Sequence, residues 1–109
     1  MLGRSVAGLL LVVMGACSDA ADPDLIAQAR SAVLELLDDP SSTRFDDSNV
    51  VALRDEGLVC GGRAKFKTEW GEYTDFQPYY FHIDRGAALP GHDAALYATL
   101  VRECGRALD

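Results

Sequence analysis

Two histidines and three cysteines are all that this chain of 109 residues offers to metal or thiol chemistry. A zinc site needs three or four converging ligands. His82, Asp84, His92 and Asp93 lie near one another in sequence, but their spacing across a Gly/Pro loop matches no recognised ligand pattern. A hydrolytic triad needs a nucleophile, a base and an orienting acid. His82 and Asp84 stand two apart on one predicted strand and could touch, yet no serine sits in a nucleophile elbow. Neither a metal site nor a cofactor is expected, and an enzyme using His82 and Asp84 comes third among the functional readings.

Positive charge is scarce as well. Ten Lys and Arg face 17 Asp and Glu, for a net charge of −7. Nucleic acid and anionic membrane surfaces both demand concentrated positive charge, so neither is expected as an electrostatic partner. Long apolar runs are missing: the stretch from Val6 to Met14 falls well short of the roughly 20 residues that span a bilayer. Repeats and low-complexity segments are absent too.

What is present starts with a leader. Met1 to Ala16, MLGRSVAGLLLVVMGA, has one basic residue, a short apolar stretch and a small-residue end, the pattern of a signal peptide. Met14-Gly15-Ala16-Cys17 resembles the lipobox of bacterial lipoproteins, with Met where Leu is usual. The resemblance implies that Cys17 becomes the acylated first residue of the mature chain, holding it to the membrane through several acyl chains. Ser18 follows Cys17, not Asp, which favours the outer membrane, facing the periplasm. Residues 17–21 then form a short tether and residues 22–109 a single domain. Losing the leader removes Arg4 and leaves 9 basic against 17 acidic residues, a net charge of −8. With Cys17 acylated, Cys60 and Cys104 remain, an even number in an oxidising compartment.

The fold expected for residues 22–109 is α+β: an N-terminal helix, a small antiparallel sheet of about three strands, and a C-terminal helix packed on one sheet face. Asp22-Pro23-Asp24 is a helix start, with Asp22 as N-cap and Pro23 at the first position. The helix presents Ile26, Ala29, Val33, Leu36 and Leu37 on one face and ends near Asp38, ahead of Pro40. Residues 39–48, DPSSTRFDDS, read as turn, with Phe45 plugging the core. The aspartates at 38, 39, 46 and 47 lack the spacing and central Gly of an EF-hand loop and are assigned to capping and solvation.

Asn49 to Leu53 is a short strand, and Asp55-Glu56-Gly57 the turn after it. Leu58 to Ile83 holds seven of the nine aromatic residues and reads as two strands. Period two puts Cys60, Ala64, Phe66 and Trp70 on a buried face. Arg63, Lys65 and Lys67 then fall on a wet face, joined by Tyr80 and His82 of the next strand. Gly61-Gly62 marks a bulge or a close backbone approach, and Pro78 an edge or a bulge. Tyr79, Phe81 and Ile83 share one face of the second strand. Arg85 to His92 reads as loop, and Asp93 caps a last helix whose apolar stripe is Tyr97, Leu100, Val101, Cys104 and Leu108. Cys104 and Cys60 both point inward, which predicts a Cys60–Cys104 disulfide.

Asp39-Pro40-Ser41-Ser42 with Phe45, then Val59-Cys60-Gly61, then Gly71-Glu72-Tyr73-Thr74-Asp75-Phe76-Gln77-Pro78 resemble a group of small, uncharacterised bacterial exported proteins. Their pattern runs D-P-x-S-x-x-F, V-C-G and G-x-Y-x-x-F-x-P. The group has no established activity, so the resemblance bears on fold and location. Together these features lead us to expect a cell-envelope lipoprotein acting as a non-enzymatic binding or accessory module. Its contact face would be Arg63, Lys65, Lys67, Tyr80 and His82, and its partner an envelope protein or an anionic envelope polymer. The alternative is a small periplasmic inhibitor of an exported enzyme such as lysozyme.

Overall fold

A computed structural model describes residues 22–109. The leader, Cys17 and the tether lie outside the described residues. The element order is α1 (Pro23–Leu34), β1 (Asp39–Asp46), β2 (Val51–Leu53), a 3-10 turn (Arg54–Glu56), β3 (Leu58–Lys67), β4 (Gln77–His82), β5 (Gly86–Ala88) and α2 (Ala94–Ala107). The fold is α+β, with one antiparallel sheet and one disulfide. No helix among the described residues is long and apolar enough to cross a membrane.

Helix α1 begins as its sequence dictates. The Asp22 carboxylate accepts from the Asp24 and Leu25 N–H groups, and Pro23 occupies the first turn. The buried row is Leu25, Ala29 and Val33, at spacing four, while Ile26 and Leu36 are half-buried. The helix stops at Leu34, earlier than Asp38. Leu36 and Leu37 donate to Val33 and Leu34, so the chain tightens to three-residue spacing. That tightening lets Leu37 drop into the core.

Five strands form the sheet, against about three expected. The order is β1-β3-β4-β5, with β2 also paired to β3. Residues 39–46 form β1, not a turn, because Ser42 substitutes for the backbone: its hydroxyl donates to the Asp39 carbonyl and accepts from the Lys67 N–H at 2.8 Å. The register slips between Asp39 and Arg44 at this point. Gly86–Ala88, expected as loop, pairs with Tyr80–His82 as β5. Tyr73 makes only an isolated bridge to Lys67, and β4 starts at Gln77. Pro78 pairs with Arg63 on one side, and β5, which pairs with Tyr80–His82, does not reach it on the other, so Pro78 stands at an edge position.

The sheet is covered on both faces, not on one. Two residues of β3, Cys60 and Gly61, stand opposite the single residue Tyr80, since Val59 pairs with Phe81 and Gly62 with Tyr79. Gly61 has φ +82, the left-handed conformation that such a bulge requires. The extra residue reverses the side-chain parity of the strand. Before the bulge, Val59 faces α1; after it, Ala64 and Phe66 do. Leu58 and Cys60 face the other way, into a separate cluster with Leu100 and Cys104 of α2. So Cys60 does not share a face with Ala64 and Phe66 as a strict period of two implies. Gly62, on the α1 side, leaves room for the Tyr79 ring, whose atoms would lie 2.3 Å from any added Cβ.

Four residues expected on apolar faces lie outside the core. Trp70 sits in the turn beyond β3, Ile83 in the turn beyond β4, and Val101 and Leu108 flank rather than join the Leu100–Cys104 row of α2. That makes four exposed side chains, all placed by extending a periodicity past the geometry that sustains it. The interior instead holds a buried phenol: Tyr79 donates to Asp47, which pairs with Arg30 of α1, and Phe45 meets the Tyr79 ring edge-on at 5.8 Å. Burial, followed by the Asp47 charge, pushes the Tyr79 phenol well above its usual range.

The Cys60–Cys104 disulfide ties α2 to β3 across a separation of 44 residues, with the Cα atoms 6.0 Å apart. A loop of that length corresponds to about 4 kcal/mol of chain entropy removed from the unfolded state. Cys60→Ala with Cys104→Ala should therefore lower Tm by about 15 °C or more in a thermal melt followed by circular dichroism. An equal Tm for the parent with and without reductant would show that the bridge contributes nothing.

Gly62→Ala should destabilise by about 1–3 kcal/mol through overpacking against Tyr79, read as a lowered urea midpoint. Gly91→Ala, where an added Cβ meets nothing within 4 Å, is the control expected to leave that midpoint in place.

Candidate functional site

Because parity reverses at Gly61, Arg63, Lys65 and Lys67 point to the same side of the sheet as Cys60 and α2. Helix α2 covers only the start of β3, through Leu58 and Cys60. Among the described residues, no helix lies over the far half of that face. Its strand neighbours add Arg44 and Asp46, which stand opposite Lys65 and Arg63. The chain between β3 and β4 then folds back alongside. Thr74 donates its N–H to the Phe66 carbonyl, and the Tyr73 hydroxyl donates to the Ser42 carbonyl at 3.0 Å.

The result is a set of cations gathered on two exposed rings. Arg44, Lys65 and Lys67 lie 5.7, 5.5 and 5.5 Å from the centroid of Tyr73. Arg63 and Lys65 lie 5.3 and 5.2 Å from that of Phe76. Contacts of this kind are worth about 0.5–1 kcal/mol each at exposed sites. They organise the side chains without neutralising them. Tyr73 is 42% exposed, Phe76 38% and Trp70, at the adjoining turn, 81%.

Only one of these cations has a carboxylate. Arg63 pairs with Asp46, whose carboxyl also accepts from the Ser48 hydroxyl and N–H. Among the described residues, no carboxylate comes within ion-pairing distance of Arg44, Lys65 or Lys67. Asp39 stands opposite Lys67 in register, but its carboxylate accepts the Ser41 hydroxyl. Three uncompensated cations therefore share one face of a strongly acidic chain.

The five residues assigned to a wet face separate into two groups. Arg63, Lys65 and Lys67 come together as expected. Tyr80 and His82 share their side of the sheet but lie at its helix-covered end. Tyr80 meets Tyr97 of α2 edge-on at 5.5 Å, and burial raises its phenol pKa. His82 is half-buried, and its Nδ1 accepts the Asp84 N–H at 3.1 Å. That bond engages the backbone of Asp84, so the side-chain pairing that a catalytic reading needs is not formed by it. Sequence reasoning missed Arg44, Tyr73 and Phe76. Arg44 was hidden in a segment read as turn, and the two rings in a segment read as strand.

A second feature adjoins this face. Trp70 overhangs an open depression of about 250 Å³ with Asp38, Lys67, Glu69 and His92 around it. His92 Nδ1 is enclosed there without a hydrogen-bond partner. Among the described residues, no group of three His, Cys, Asp or Glu could hold a metal ion.

No family model, characterised protein or solved structure matches this chain. The chemistry of the site accordingly rests on its own residues.

The two hydrogen bonds from Ser48, joined by the Arg63 guanidinium, hold the Asp46 carboxyl down at about 2. Its folded pKa thus lies below the ordinary value of 3.8. The stability linked to it is present above pH 3.8 and is lost as pH falls through about 2. Asp46→Asn should reduce the loss of urea resistance between pH 4 and pH 2, and the Asp46 carboxyl resonance should titrate near pH 2. A titration midpoint near 4 would mean that the Ser48 and Arg63 contacts do not form.

Proposed function

We propose that this protein is a lipid-anchored component of the bacterial cell envelope, acting as a non-enzymatic binding module. Its contact surface in this reading is the exposed sheet face formed by Arg44, Arg63, Lys65, Lys67, Tyr73 and Phe76. The observation that carries the proposal is the trio Arg44, Lys65 and Lys67, held without carboxylate partners among the described residues in a chain of net charge −7. Isolated like charges on a strand are commonly an edge device that discourages aggregation. That explanation suits Arg44 on the edge strand β1. It does not account for Lys65 and Lys67, which belong to the interior strand β3.

The anchoring part of the reading rests on the leader and on Met14-Gly15-Ala16-Cys17, with support from cysteine pairing. Once Cys60 and Cys104 are bridged, Cys17 is the single cysteine left over, as acylation requires. The V-C-G and G-x-Y-x-x-F-x-P resemblance points to the same exported class. An inhibitor of a basic exported enzyme would instead use the acidic surface elsewhere on the domain.

Two measurements test the proposal. Cys17→Ala should move the protein from the membrane fraction to the soluble fraction, and mass spectrometry of the parent should find acyl chains on Cys17. An unmodified Cys17 in the mature protein would end the lipoprotein reading. Retention of the parent on immobilised polyglutamate should fall steeply as salt rises from 50 to 300 mM, since exposed charge contacts are screened within about 10 Å. Arg44→Glu/Lys65→Glu/Lys67→Glu should not be retained at any salt. Equal retention of parent and triple variant would remove this face from consideration.

A further inference from the structure

We infer that the occupant of this face is an extended acidic polypeptide segment with a carboxylate at every second residue, laid along β3. The inference rests on the binding reading above and specifies its partner. It comes from the spacing of the cations and from a contact that the domain already makes.

Successive side chains on one face of a strand lie about 6.6–6.8 Å apart, twice the rise per residue. Arg63, Lys65 and Lys67 therefore form a ladder with that repeat. An extended polypeptide has the same repeat. Acidic residues at positions i, i+2 and i+4 of such a segment match the rungs one to one, while residues at every third position alternate between its faces. Sugar units and lipid headgroups carry no such period.

The domain itself contains one occupied rung. Asp46, from the neighbouring extended strand, stands opposite Arg63 and pairs with it. Two residue pairs further along, on the same face, the position equivalent to Asp46 is Arg44, opposite Lys65. Like charges placed directly opposite one another in an antiparallel pair are destabilising. Here the two cations converge on the Tyr73 ring instead of on an acid. A carboxylate from outside, placed between Arg44 and Lys65, reproduces the Asp46–Arg63 contact and relieves the repulsion. A second carboxylate two residues on reaches Lys67. The flanking chemistry suits a protein partner as well. Tyr, Trp and Arg are the side chains enriched at the centres of protein interfaces, and Tyr73, Phe76 and Trp70 rim the ladder exposed.

The test uses the full chain purified in detergent and two heptapeptides of identical composition, Glu-Thr-Glu-Thr-Glu-Thr-Thr and Glu-Thr-Thr-Glu-Thr-Thr-Glu. Trp70 is the only tryptophan, so its fluorescence reports binding beside Lys67. The alternating peptide should bind about threefold more tightly than the every-third peptide, the equivalent of one further exposed charge contact. Lys65→Gln and Lys67→Gln should each weaken the alternating peptide about threefold, with Tm unchanged for Lys67→Gln and not lowered for Lys65→Gln, and bring it closer to its partner peptide. Equal affinity for the two peptides would overturn the inference. So would tighter binding of trigalacturonate or of phosphatidylglycerol vesicles than of the alternating peptide. If polyglutamate retention persists while the peptides are not distinguished, the face binds anions without register, and only the inference falls. Loss of both results removes the binding face itself.

Discussion

Everything about the surface of this domain depends on one surplus residue in β3. With Gly61 in the left-handed region, the strand accommodates two residues against the single Tyr80 and changes which side its side chains face. Without it, the strand would carry Leu58, Cys60, Ala64 and Phe66 on one face and leave Val59 with Arg63, Lys65 and Lys67 on the other. With it, Ala64 and Phe66 move to the side of Val59, and the strand contributes to both cores. Val59 joins the α1 side, and Leu58 with Cys60 joins the α2 side. A five-stranded sheet in a small chain thereby becomes the middle layer of three. The bulge is also why glycine stands there: an added Cβ would lie 2.3 Å from the Asn49 carbonyl oxygen, on top of the strain of the positive φ.

The disulfide follows from the same geometry. Alternation with Val59 aims Cys60 away from α1 and towards α2, where Cys104 lies between Leu100 and the helix end, and the reversal after Gly61 keeps Ala64 and Phe66 on the α1 side. The α2 core is small, four buried side chains with Leu53, Tyr80 and Leu96 around them. A helix resting on so little apolar surface is held weakly by burial alone, and a covalent tie to the central strand compensates. The outer Arg85–Glu103 pair adds a second link between α2 and the β4–β5 turn, through two hydrogen bonds of 2.6 and 3.0 Å. It lowers the Glu103 pKa and raises that of Arg85.

How much of this could be read from the residues differs by element. The caps were legible because Asp22-Pro23 and Asp93 act locally, and both carboxylates accept the N–H bonds their positions imply. The disulfide was legible from cysteine parity. Strand β1 was not, because Asp39-Pro40-Ser41-Ser42 carries turn chemistry and enters the sheet through a serine hydroxyl in place of a regular ladder bond. Strand β5 was not, because Gly86-Ala87-Ala88 offers neither β-branched nor aromatic side chains and is defined only by what Tyr80–His82 need as a neighbour. Gly61-Gly62 marks the bulge, but which residue is surplus, and so where parity reverses, depends on the long-range pairing with Tyr79 to Phe81. Trp70 was placed inside by continuing the even positions beyond Lys67, where the backbone has already turned: Gly71 donates to Thr68, and Thr68 to Glu72.

The candidate site shows the same division between local and long-range information. Arg63, Lys65 and Lys67 are one strand's alternation and were visible as such. Arg44, Tyr73 and Phe76 come from chain segments that reach them only through pairing and fold-back, and they change what the stripe means. Alone, three alternating cations are a solvated strand face. Arg44 set against Lys65, with no acid among the described residues to separate them, is a local arrangement that costs the fold stability and does nothing for its core. The rings soften that cost without removing the charge. In the same two strands, Asp46 against Arg63 shows that an acid in this position is sterically and chemically acceptable. The domain therefore had the simpler solution available one rung away and does not use it at Lys65, which is why that rung, more than the total charge of the stripe, argues for a ligand supplied from outside.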